Sequence, residues 1–286
     1  MASSSMKPQD VLAHFTYLQW KDDFLKERPI EVQHDQDPRK TNMTWYKSGN
    51  AEIVRDARGR ESEYNVDTHG FTFVKHDTGL TTDDFYDRNQ VIERYIPQAI
   101  DLYKKVFGDV DEVYIFHWQM VSKLRSTAQQ RKLREQNKDV HVDQTQSEVE
   151  RHVRNLLPDR AEYLLKGRVR NVNMWRPVRG PVQNWPLAVC DSRSVSAEKY
   201  VEFDRILPKG NMTARMVLEH PTLKWHYLSQ QQPDEAIIFK CTDSHEGVAK
   251  CVPHASIELP NTNSGTPARE SIEIRAYLFS YPKNEA

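Results

Sequence analysis

With 286 residues, 40 Lys and Arg against 41 Asp and Glu and a net charge of −1, the chain is long enough for a substantial core and lacks the basic footprint of nucleic-acid binding. Its three cysteines, Cys190, Cys241 and Cys251, are odd in number and show no CxxC spacing, which argues for a reducing compartment and against a zinc ribbon. The polar start from Met1 to Met6 and the lack of an 18-residue apolar run predict neither secretion nor a membrane span, so a cytoplasmic location is the expectation.

One domain over residues 1–286 is expected, with residues 1–40 as an N-terminal extension. Within the extension, Val11 to Phe24 reads as one helix or strand, followed by a polar stretch ending at Asp37-Pro38. Strand patterns occur at Met43 to Tyr46 and Phe71 to Val74, with a turn at Ala57 to Gly59 between them. Asp83 to Phe107 is the clearest helix: Val91, Ile92, Tyr95, Ile96, Ala99, Leu102 and Tyr103 recur at three-to-four spacing, and Gly108 ends it. Val113 to Phe116 is a short strand, and the charged stretch from about 122 to 138 has no apolar period and predicts a mobile loop or lid. A short helix follows at Ser147 to Leu157 and stops at Pro158.

The second half is β-rich. Strands are predicted at Val169 to Trp175, Leu187 to Cys190, Ala214 to Glu219, Trp225 to Leu228, Glu235 to Lys240 and Glu270 to Phe279, separated by Pro, Gly and Asn. Helix first and many short strands later suggest a helix-backed β-barrel or sandwich, and no GxGxxG or P-loop supports a nucleotide fold.

The sharpest local pattern is His141-Val142-Asp143. On a strand it aims imidazole and carboxylate to one face, where they suit a borderline metal such as Fe(II). Alone, the triplet reads more readily as a loop His beside a solvated Asp. His254 lies 113 residues downstream (141 to 254) and is the candidate third ligand; His245 is its rival, in a polar turn-like stretch, while His220 and His226 read as structural. Fifteen residues past His254 comes Arg269, opening a strand whose Ile272, Ile274, Ala276 and Leu278 form an apolar back. Arg269, Ser271, Glu273, Arg275 and Tyr277 form the other face. Guanidinium and hydroxyl there suit a dicarboxylate, whereas the bland reading is an exposed edge strand with a salt-bridge ladder. Of the two arginines on that face, Arg269, with Ser271 two positions on, is the candidate for a carboxylate; Arg275 is expected to pair with a buried acid near Glu273 or with Asp191.

HxD, a distal His and Arg-x-Ser together resemble the Fe(II)/2-oxoglutarate-dependent dioxygenases. Val140 to Asp143, Asn173 to Pro177 running on to Ala188, and His254 to Ile257 with Arg269 to Arg275 are similar to the gibberellin-desaturase-like, AsaB-type hydroxylase/desaturases of secondary metabolism, over roughly residues 40 to 280. The resemblance implies a mainly β fold with flanking α: a double-stranded β-helix, the cupin-like jelly-roll, backed by N-terminal helices. It implies Fe(II) on His141, Asp143 and His254, 2-oxoglutarate on Arg269 and Ser271, O2 as oxidant, and hydroxylation or desaturation of a small organic substrate. Neither nucleic acid nor membrane is an expected partner, and a homodimer stays open. The chain departs from the family after HxD, with Gln144-Thr145-Gln146, which bears on substrate contacts near the metal. Trp175 reads as core; Asn173 and Arg176 stay open between structure and pocket wall. The rival readings are a cupin-like isomerase or hydrolase that uses the metal without 2-oxoglutarate, and a non-catalytic jelly-roll binding module.

Overall fold

The computed structural model describes residues 9–33, 39–122, 137–208, 210–260, 262, 265–267 and 269–283. Most of the loop expected at 122–138 falls outside them. Short strands form early wherever aromatic and β-branched residues recur: β1 Val11–Ala13, β2 Thr16–Leu18, β3 Ile30–Val32, β4 Trp45–Lys47, β5 Glu52–Asp56 and β6 Phe71–Lys75. Val11 to Phe24 is thus two strands and the start of a 3-10 turn.

The expected Asp83–Phe107 helix is helical almost throughout but not continuous. It comprises α1 Thr82–Tyr86, α2 Arg88–Gln90, a π-helical turn Val91–Tyr95 and α3 Ile96–Phe107. Thr81 and Asp84 form a reciprocal capping box at its start. Asp87 leaves the helical region (φ −85°, ψ 113°), and its carboxylate accepts from the Asn89 amide, so the chain restarts there. Gly108, at φ 73°, closes α3 with its N–H on the Lys104 carbonyl.

Then come β7 Glu112–Ser122, β8 His141–Val142, α4 Gln146–Leu156, α5 Ala161–Leu164, β9 Arg168–Pro177, β10 Leu187–Cys190, β11 Tyr200–Leu207, β12 Gly210–Val217, β13 Trp225–Tyr227, β14 Glu235–Asp243, β15 His254–Ser256 and β16 Glu270–Ser280. β11 has no counterpart among the predicted strands. It does alternate, with Val201, Phe203 and Arg205 buried while Glu202 is exposed, but its charged residues dilute the apolar signal.

Two sheets face each other as a jelly roll that does not close into a barrel. One has the order β6-β14-β9-β16-β7; the other, nine-stranded, runs β1-β5-β13-β10-β15-β8-β12-β11-β3. The N-terminal strands β1 and β3 sit at the two edges of the larger sheet. β16 lies between β9 and β7 along nearly its whole length, so the edge-strand reading is excluded. Its apolar back packs with Val172, Met174 and Ile238 onto Tyr95, Ala99, Leu102 and Tyr103 of the helical layer. Each buried Val, Leu, Ile or Met there contributes roughly 1.5–3 kcal/mol. The opposite face of the smaller sheet presents Phe71, Phe73, Trp175, Ile237 and Phe239 to Val142, Leu187, Val189 and Val252, and this second core fills the space between the sheets.

Candidate metal centre and carboxylate anchor

The two histidines are cross-strand partners. β15 pairs with β8 through His254 opposite His141, and with β10 through His254 opposite Val189, which places both imidazoles in the middle of the nine-stranded sheet. Directly opposed residues bring side chains into contact, and the two ring centroids are 4.3 Å apart. Asp143 follows β8 in a bend and turns back beneath them. Its Oδ1 is 3.6 Å from His141 Nε2 and its Oδ2 is 3.7 Å from His254 Nε2. Donor atoms of His141, Asp143 and His254 all lie within 4.8 Å of one another, and all three residues are buried.

Each imidazole is oriented by the carbonyl two residues before it: His141 Nδ1 lies 2.7 Å from Asp139 O, and His254 Nδ1 lies 3.0 Å from Val252 O. These contacts assign the proton to Nδ1 and leave the Nε2 lone pairs facing Asp143. Burial, reinforced by His141, pushes His254 down to about 4, so it is a neutral donor. Two imidazoles and one carboxylate, gathered and buried on one side of a cavity, are a donor set suited to a divalent first-row metal. His245 is exposed and His226 bonds Tyr64 Oη at 3.0 Å; neither joins the cluster.

The carboxylate itself is clamped. Asn173 Nδ2 donates to Asp143 Oδ2 at 2.6 Å, and Arg275 Nη1 is 3.2 Å from Oδ1. Burial opposes the charged form of Asp143, but the contacts around it, the Arg275 guanidinium foremost, outweigh burial and hold the carboxyl well below the usual range. Arg275 also donates to Glu273 Oε2, from Nη2 at 2.9 Å and Nε at 3.2 Å. The expected partner Asp191 is a correction: it caps the 3-10 turn after β10 and pairs there with Arg193 at 2.7 Å, while Asp143, just past β8 in the same sheet, reaches across to Arg275 and Glu273 flanks it from β16.

Arg269 and Ser271 show the reverse of satisfaction. Arg269 is buried and meets no carboxylate at ion-pair distance among the described residues. Its Nη1 donates to the Trp185 carbonyl and to Ser256 Oγ, its guanidinium stacks 5.1 Å from the Trp175 ring, and its Nε has no partner. Burial, only partly offset by Glu273, pulls it down to about 10. Trp185 supplies its carbonyl from a left-handed backbone (φ 54°), a conformation that costs a non-glycine residue on the order of 1–3 kcal/mol. Ser271 points to the same side of β16, fully buried, and its Oγ also lacks a partner. A buried cation without an acid beside an orphaned hydroxyl fits a carboxylate ligand.

His141, Asp143, His254 and Arg269 line one cavity. Trp175 is both core and wall. Along β9, Asn173 and Trp175 alternate with Arg176, which turns to the helical layer and donates to the His76 and Pro233 carbonyls, outside the cavity. Gln144 is likewise turned away, bonded to Asn171 and Tyr277. Residues the sequence did not single out, Gln119, Asn137, Arg205 and Ser256, complete much of the polar lining. Their common signal was a polar side chain on the inward parity of a strand or just before one.

A family model described as "Oxidoreductase/YMDC permease-like domain" matches residues 15–279. Among the described residues no helix is long and apolar enough to cross a membrane. The chain is 34% identical over 248 residues to the hydroxylase/desaturase CTB9 of Cercospora beticola, covering 79% of this chain and 75% of that protein. It is 30% identical over 229 residues to the Fe(II)/2-oxoglutarate-dependent dioxygenase nvfI of Aspergillus novofumigatus, covering 78% and 81%. The solved structure of the iron and alpha-ketoglutarate-dependent endoperoxidase NvfI superposes with a TM-score of 0.84 at 24% identity over 95% of this chain and 98% of that one, which establishes the shared fold.

Proposed function

The chain belongs to the family of hydroxylase/desaturases and Fe(II)/2-oxoglutarate-dependent dioxygenases, and from that premise we propose that it oxidises a small secondary-metabolite substrate with Fe(II) held by His141, Asp143 and His254 and 2-oxoglutarate anchored by Arg269 and Ser271. The observation that carries this reading is the juxtaposition in one cavity of a buried His-Asp-His cluster and a buried arginine with no acidic partner among the described residues. Bound Fe(II) supplies the redox chemistry that couples decarboxylation of 2-oxoglutarate by O2 to oxidation of a substrate C–H bond.

The protein's own part is orientation and charge. The Asp139 and Val252 carbonyls hold the two imidazoles in the tautomer that presents Nε2. Asn173 and Arg275 occupy part of the Asp143 carboxylate and fix its plane. Arg269 offers a planar fork at one side of the cavity, desolvated so that a diacid gains a strong charge-assisted contact. Trp175 walls the cavity with aromatic surface, and Phe239 backs the His254 ring, their centroids 4.6 Å apart.

An isomerase or hydrolase that ignores 2-oxoglutarate leaves the Arg269 and Ser271 pair without a ligand, and the oxygenase relatives do not support it. Anaerobic addition of Fe(II) and then 2-oxoglutarate tests the proposal. A weak visible charge-transfer absorption that needs both and is lost in His254→Ala is expected. No absorption in the folded wild-type protein sinks the reading.

A further inference from the structure

Glu273 has a role that neither the metal ligands nor the carboxylate anchor account for. It lines the same cavity as His141, Asp143 and His254 and is 7% exposed. Its Oε2 accepts from Gln119 Nε2 at 2.8 Å and from Arg275 at 2.9 and 3.2 Å, while its Oε1 accepts from Asn173 Nδ2 at 3.1 Å. Asn173 and Arg275 are the two residues that also hold Asp143, at 2.6 and 3.2 Å. Two carboxylates, one a candidate ligand and the other not, are therefore bridged twice, once by an amide and once by a guanidinium.

The charge balance gives this arrangement a consequence. Asp143 with Arg275 alone sums to zero, and a divalent cation added there leaves two uncompensated positive charges in a dry site. With Glu273 included the group carries one net negative charge, which favours the cation and offsets its repulsion by Arg275. We propose that Glu273 is the counter-charge that lets Asp143 take a divalent metal beside Arg275, making it a positioning and affinity-setting residue for the metal site. The inference rests on the ligand assignment above.

The test is anaerobic Co(II) titration of the full chain without 2-oxoglutarate, read by the visible ligand-field bands, with a melting curve for each variant. Wild type should bind one Co(II), and Glu273→Gln, which removes charge and keeps volume, should raise Kd about tenfold or more. The double variant Glu273→Gln/Arg275→Gln restores the same local charge as wild type and should return Kd to within about threefold. Arg275→Gln alone should bind no more weakly than about threefold.

A Glu273→Gln Kd within about threefold of wild type overturns the proposal, as does a double variant as weak as the single one, which would trace the loss to packing. A purely structural Glu273 would lower the melting temperature and leave Kd unmoved. If Glu273→Gln does not fold, the other two variants decide, and weakening beyond threefold in either overturns the proposal. Failure of wild type to bind Co(II), or unchanged binding in His254→Ala, overturns the ligand assignment as well; an inert Glu273→Gln in a metal-binding wild type overturns only the counter-charge.

Discussion

Individual side chains in this site divide by how their polar atoms are satisfied, and that division predicts what each substitution does. His141, Asp143 and His254 each contribute one donor atom to a three-membered cluster. Replacing any of them by Ala should abolish stoichiometric metal binding, measured by metal analysis after desalting, whereas His245→Ala, in an exposed turn, should keep one metal per chain. The opposite pattern would reverse the ligand assignment. Arg269 and Arg275 differ in the same way. Arg275 already spends its guanidinium on Asp143 and Glu273, while Arg269 has an unpartnered Nε and no acid among the described residues. Removing one partner of a buried charged contact costs on the order of 2–5 kcal/mol. Arg269→Ala should therefore raise the apparent KM for 2-oxoglutarate by at least about thirtyfold, with Ser271→Ala, one neutral hydrogen bond, costing about three- to tenfold. Steady-state titration of 2-oxoglutarate against Arg275→Gln is the control, and a larger KM defect there than in Arg269→Ala would overturn the assignment. At this scale the sequence was readable where spacing carries chemistry, as in HxD and Arg-x-Ser. It was not readable where partner choice depends on the fold: Asp191 and Asp143 are equally good acids for Arg275 on paper, and only the packing of the two sheets brings Asp143 to it.

Elements translate these residues into geometry, and β16 does most of it. Its period-two alternation was legible at once, because Ile272, Ile274, Ala276 and Leu278 are uninterrupted on one side and Arg269, Ser271, Glu273, Arg275 and Tyr277 follow one another on the other. What alternation does not reveal is which strands flank it, so exposed edge and buried interior remained equal until pairing with β9 and β7 was known. The missed β11 and the broken helix have local causes: interleaved charge masked the first, and Asp87 restarts the second by capping. Because the apolar back of β16 packs on the helical layer while its front carries the proposed anchor, stability and ligand binding should separate by face. Ile274→Ala leaves a void against the helical layer and should cost about 2–5 kcal/mol in chemical denaturation. In the folded fraction, KM for 2-oxoglutarate should stay near the wild-type value. A rise in KM comparable to that of Arg269→Ala would show that the back of the strand sets the anchor's position.

At the level of the whole molecule, the two-sheet architecture was legible as a class, since one early helical segment followed by many short strands leaves few packings. The order of nine strands was not, because β1 and β3 reach opposite edges of one sheet from a stretch of sequence that looked like an extension. That closure from the N-terminus buries polar groups outside the candidate metal centre, and one of them makes stability depend on pH. His226 on β13 is buried between the sheets, with Tyr64 Oη at 3.0 Å from its Nδ1, and burial, against the opposing pull of Asp191, pushes it down to about 4. The unfolded chain returns it to the ordinary range near 6.5. Between those two values the unfolded state binds a proton that the folded state refuses. Stability should therefore be fully present above about pH 6.5 and fall as pH drops toward 4, by up to about 1.4 kcal/mol per pH unit for this group. His226→Gln keeps a hydrogen-bonding side chain without the titration, so its stability curve, measured by urea denaturation from pH 7 to 4.5, should be flatter than wild type by about one proton. It should also start lower at pH 7, where the wild-type imidazole is neutral and satisfied. Parallel curves for the two proteins would mean that His226 titrates alike in the folded and unfolded chains, and that the acid sensitivity originates in other buried groups.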